Sequence, residues 1–156
     1  MKKLSLICLG ALASSLMVTP AMAQSVSPTN TNFTATGQAS LNKAGLPTQN
    51  CTLTLTGNSG NGTSGTITGG TNTGLGLCPF ITVDPSTFTI DSTVNPTTVS
   101  GTVARIRVLV SGIEVCNETN RPFTADTSGN INFNSTIAPN CSVVASLNTP
   151  DIVAVP

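Results

Sequence analysis

The chain has no histidine, no tyrosine and no tryptophan, and only 8% of its 156 residues are charged. Each shortage removes a class of function. Acid–base catalysis at neutral pH needs groups that titrate there or are pushed there. This chain offers only six carboxylates, Asp84, Asp91, Glu114, Glu118, Asp126 and Asp151. Asp84 and Asp91 could form a glycosidase-like acid pair in principle, but one precedes a proline turn and the other ends a strand pattern, which places both on the surface. Serine and threonine hydroxyls are abundant, yet a serine nucleophile needs a base, and past the first 23 residues Lys43 is the sole lysine. Sugar and aromatic-ligand sites usually rest on Trp or Tyr platforms. The five phenylalanines (Phe33, Phe80, Phe88, Phe123 and Phe133) read instead as core. No catalytic residue and no cofactor is expected.

The first 23 residues are the one long apolar run. Lys2 and Lys3 precede LSLICLGALASSLMV, and Ala21 to Ala23 make a small-x-small cleavage site. This is the pattern of a secretory signal peptide, so residues 1–23 are expected to be removed, with Cys8. No other stretch is apolar enough for a transmembrane segment. Residues 24–156 are then a single secreted domain. Four cations against six anions give it a net charge of −2, which excludes the basic footprint of a nucleic-acid binder.

What is present is threonine, with 25 residues after position 23, a β-branched type suited to a pleated surface. After a polar lead-in (24–32), FTATGQASL sets Phe33, Ala35, Gly37, Ala39 and Leu41 against alternate polar residues. That period of two marks a half-buried strand. CTLTLTG repeats it, with Cys51, Leu53 and Leu55 on one face. The Gly-rich stretch 58–76 lacks the lysine and the strand–helix context of a phosphate loop and reads as a hairpin with a strand near Thr66 to Thr68. TVARIRVLVSGIEVCNE is the clearest element. A two-residue turn at Ser111-Gly112 would face Val110 with Ile113 and Val108 with Val115. Ala104, Ile106, Val108, Val110, Ile113 and Val115 would then share an apolar face, while Arg105 would lie opposite Glu118 on the other. Short strands spaced by Gly, Pro and Asn, without an amphipathic helix, predict an all-β domain: a disulfide-stabilised β-sandwich or open barrel of mainly antiparallel strands.

Four cysteines follow the signal: Cys51, Cys78, Cys116 and Cys141. An even number in a secreted chain implies two disulfides with three possible connectivities. Similar loop lengths favour Cys51–Cys78 and Cys116–Cys141. Zinc is disfavoured by the absence of histidine and of any C-x-x-C pair. DTSGNIN places Asp126, Ser128, Asn130 and Asn132 at alternate positions, a weak calcium pattern that lacks a later bidentate glutamate and is equally a β-turn.

Three blocks resemble a known family, the secreted bacterial "protein activator of alkane oxidation". They are SPTNTNFTATGQASLNKAGL leading into CTLTLTG, the order and approximate spacing of the four cysteines, and the closing CSVVASLNTPDIVAV. Where relatives often carry a Trp after the second cysteine, this chain has CPFITVDPSTFTI. The resemblance implies an extracellular protein that promotes growth on long-chain alkanes and takes part in biofilm, with no catalytic residues to carry over. Its partners would be a hydrophobic interface, a cell surface or the biofilm matrix. Two other readings stand beside this one. In the first, a self-assembling filament or pilin-like subunit donates residues 33–41 to another chain's sheet, although pairing within the chain is the default. The second, a secreted hydrolase, is held back by the missing histidine.

Overall fold

The computed structural model describes residues 24–137 and 140–156; the expected signal peptide, residues 1–23, lies outside them. Eleven strands form: β1 (Ser25–Ser27), β2 (Asn32–Lys43), β3 (Gln49–Asn58), β4 (Ser64–Thr73), β5 (Ile81–Val83), β6 (Ser86–Asn95), β7 (Thr98–Val110), β8 (Ile113–Asp126), β9 (Asn130–Ile137), β10 (Cys141–Asn148) and β11 (Val153–Val155). A 3-10 turn, Cys78–Phe80, precedes β5. The all-β, antiparallel, disulfide-stabilised fold expected from the sequence is the one observed.

Chain neighbours pair in order from β2 through β10, and β10 then pairs with β2, closing an eight-stranded up-and-down barrel. Strands β5 and β6 share one place in the wall. Both lie between β4 and β7, β5 toward one end and β6 toward the other, with Asp84-Pro85 as the break between them. Closure leaves no free edge in the ring, which removes the usual template for pairing with another chain. Strand β2 is therefore bonded on both sides, Ala35 facing Leu55 of β3 and Ala39 facing Ala145 of β10. At Gly37 the backbone of β10 lies close against β2. A Cβ there would overlap the carbonyl oxygen of Ser146, so Gly37→Val would disturb the barrel itself.

The inward face follows the period of two. Phe33, Ala35, Leu41, Cys51 and Leu53 are buried, with Leu55 half-buried behind them. At the β7–β8 hairpin the reading needs correction. Ser111 (φ 52°) and Gly112 (φ 78°) form the expected two-residue turn, and Val110 faces Ile113. A bulge follows, however, so that Leu109 faces Glu114 and Val108 faces Cys116 rather than Val115. The extra residue reverses the facing beyond it. Cys116 therefore points inward with Val108, Ile113 is exposed, and Arg105 faces Thr119 instead of Glu118. Alternation also slips at Ala104 and Arg105, both exposed, so that Val103 and not Ala104 joins Ile106 in the core.

Strands β1 and β11 form a second, small sheet. Val26 of β1 faces Ala154 of β11, and Val26, Ile152 and Ala154 are buried. The ribbon is tied to the β3–β4 turn through Val26 N–H to Gly62 O (2.8 Å). It covers that mouth of the barrel.

Candidate functional site

The opposite mouth carries the turns β2–β3, β4–β5, β7–β8 and β9–β10, and both disulfides sit there. Cys51 near the start of β3 bonds Cys78 (Cα–Cα 5.5 Å), while Cys116 near the start of β8 bonds Cys141 at the start of β10 (Cα–Cα 6.1 Å). This is the pairing that the spacing favoured. Hydrogen bonds tie the loops together. The Leu77 amide donates to Gln49 Oε1 (3.0 Å), the Ser111 amide to Phe80 O (2.9 Å) and the Ala44 amide to Asn140 O (3.0 Å).

On this braced end, four large apolar side chains face solvent: Leu46 (37% exposed), Leu75 (91%), Phe80 (55%) and Ile113 (71%). Phe80 was expected in the core. It stands outside because the 3-10 turn buries Cys78 instead, with Ile81 next in line. The segments AGLPTQN (44–50), GLGLCPF (74–80) and SGI (111–113) contain no charged residue. An uncharged loop cluster with protruding apolar tips is unlike the polar connections usual in soluble domains, and such patches mark contact surfaces. The GLGLCPF segment was the available sequence signal, since loops are normally polar; only the fold brings it beside Leu46 and Ile113.

Charged side chains begin where these loop segments end, with Lys43 before the first and Glu114 after the last. Arg107 donates to Asp84 through Nη1 and to Glu114 through Nε, both at 2.6 Å, and Arg121 pairs with Glu118 at 3.0 Å. The bond from Arg107 holds the Glu114 carboxyl below its ordinary range, and Glu114 and Asp84 together raise the guanidinium. Asp84 and Asp91 do not work together. Asp84 binds Arg107, whereas Asp91 accepts from Thr89 and Thr102. The oxygens of Asp126 are taken by Asn130 Nδ2 and by the amides of Ser128 and Asn130, at 2.8 to 2.9 Å, while Asn132 turns to accept from Ser146 on β10. DTSGNIN is thus a self-satisfied turn between β8 and β9. Among the described residues no cluster of three metal-ligating side chains forms, and no helix is long and apolar enough to cross a membrane.

The bonds from Asn130 and Ser128 also depress the Asp126 carboxyl, against the opposing effect of burial. A carboxylate lowered in the folded state contributes stability above its unfolded pKa of about 4, and that contribution is lost as pH falls through the folded value. With no histidine in the chain, the thermal midpoint should be flat from pH 6 to pH 8 and should drop below about pH 4. Asp126→Asn should lower the neutral midpoint and shrink the acid-side drop. Calorimetric scans across this range decide it; a midpoint moving by several degrees between pH 6 and pH 7 would contradict the assignment.

A family model described as alkane oxidation protein activator PraA/PraB-like matches residues 1–156. No curated protein and no solved structure matches the chain.

Proposed function

Because the chain belongs to the alkane oxidation protein activator PraA/PraB-like family, we propose that it is a secreted, non-catalytic protein that brings hydrophobic material into contact with a cell surface or biofilm matrix. Secretion rests on residues 1–23 acting as a cleaved signal peptide. The observation that carries the reading is the cluster of uncharged loop segments at one barrel end, where Leu46, Leu75, Phe80 and Ile113 project from loops locked by two disulfides. Apolar tips on a stiff scaffold enter oil at little entropic cost, because the loops are ordered beforehand. The Thr-coated wall stays hydrated. The filament alternative would require Phe33, Ala35, Gly37, Ala39 and Leu41 to leave both β3 and β10, so the surface reading has the firmer support.

The test is adsorption. The oxidised protein should accumulate at a hexadecane–water interface and slow droplet coalescence. The triple variant Leu75→Ser, Phe80→Ser, Ile113→Ser should lose most of this while its denaturation midpoint stays close to that of the parent, as exposed substitutions do. Undiminished adsorption by the triple variant would overturn the reading.

A further inference from the structure

An eight-stranded barrel is just wide enough for its own side chains to fill, or for one small ligand. This one is underfilled. A cavity of about 120 Å³ runs inside it, lined among others by Phe33, Leu53, Phe88, Ile106, Val108 and Ala145. The residues explain the space. Phe33 faces Gly57, Phe88 faces Gly65 and Phe123 faces Gly101 across the strands. A Cβ on any of these glycines would come within 2.5 Å of the ring's Cζ, so each ring lies flat on its neighbour's backbone. The three rings meet edge-on, with centroids 6.3 and 6.1 Å apart. Rings laid along the wall leave the axis open, and Ala35, Ala125 and Ala145 at inward positions are too small to close it.

The lining also defines what could enter. Its polar side chains are Asp84, Ser86, Arg105 and Asp126, and each is engaged elsewhere. Asp84 holds Arg107, Ser86 Oγ accepts from the Arg105 amide, Arg105 Nε donates to Asn117, and Asp126 closes its own turn. Arg105 is moreover exposed on the outside, so the surface that faces the lumen is almost wholly apolar, and a polar guest would lose its hydrogen bonds to water without replacement. We propose that the barrel lumen is a binding site for a short saturated hydrocarbon. An apolar cavity of about 150 Å³ stays dry and takes up benzene; by the same scale this lumen suits an alkane of roughly four or five carbons. The gain would come from dispersion contacts between the guest and the lining side chains. This site is separate from the exposed loop tips, since its lining includes none of Leu46, Leu75, Phe80 and Ile113.

The experiment is a titration of the oxidised protein with n-pentane, followed by methyl NMR and thermal melting. The methyls of Leu53, Ile106, Val108 and Leu147 should shift to saturation, and the midpoint should rise with pentane concentration. 1-Pentanol should bind roughly tenfold more weakly, or worse, because its hydroxyl finds no partner. Ala145→Leu, which adds carbon to the lumen, should abolish the shifts. The loop-tip triple variant should retain them, which separates this site from surface adsorption. The proposal is overturned if pentane leaves the lumen methyls unmoved, if it moves only the Leu75 and Ile113 methyls, or if pentanol binds as tightly as pentane. The alcohol comparison uses the parent protein alone, so it holds even should Ala145→Leu fail to fold.

Discussion

Replacing Cys51, Cys78, Cys116 and Cys141 together by serine should leave the chain unable to fold at 37 °C. The two bridges close loops with sequence separations of 27 and 25, and constraint of the unfolded chain assigns each about 3–4 kcal/mol. Their loss together, about 7 kcal/mol, is comparable to the whole stability of an ordinary domain, about 5–15 kcal/mol. The replacement has a second cost. All four sulfurs belong to buried residues, so four hydroxyls would enter an apolar core. Removing one pair should lower stability by about 3–4 kcal/mol and leave a folded but weaker barrel. Far-UV circular dichroism during urea titration measures both, and a quadruple variant with a native spectrum and an unshifted midpoint would refute the expectation. The bridges should matter to function as well, because they hold the loop tips in place.

Val108→Asp should be nearly as damaging, and by a different route. Val108 is 3% exposed, faces Cys116 across the hairpin and lines the lumen. A carboxylate there is surrounded by apolar side chains, with the lining's Arg105 exposed on the outside and bonded to Asn117, and an uncompensated buried charge costs about 3–5 kcal/mol. The neighbouring residue is the control. Arg107 points to the outer wall, and its ion pairs with Asp84 and Glu114 are screened by solvent, so Arg107→Ser should hardly move the denaturation midpoint. Equal midpoints for the two variants would mean that β7 is turned the other way.

Several parts of this molecule are written locally. Alternation in FTATGQASL and CTLTLTG decides which side chains point inward, because successive strand residues must face opposite sides. Positive φ at Ser111 and Gly112 was foreseeable from a two-residue turn. Similar loop lengths favoured the cysteine pairing among three without deciding it, and the lack of histidine, tyrosine and tryptophan bounds the chemistry whatever the fold. The family, too, was legible in the opening and closing blocks.

Other parts were decided only by contacts distant in sequence. A period of two cannot reveal a bulge when residues on both sides of it are apolar. Val115 and Cys116 each satisfy an inward position, and the Cys116–Cys141 bond sits with Cys116 buried beside Val108. Closure rests on pairing β2 with β10, about a hundred residues apart, where Gly37 leaves room for the Ser146 carbonyl. Neither strand's own pattern names its partner. The loop tips and the lumen are of the same kind. Leu46, Leu75, Phe80 and Ile113 come to one end because an up-and-down barrel alternates its turns between two mouths. The cavity exists because three phenylalanines each found a glycine across the ladder. Sequence determined the faces of the strands; tertiary pairing decided what those faces enclose, since register and closure depend on the sum of many weak contacts between segments that are far apart along the chain.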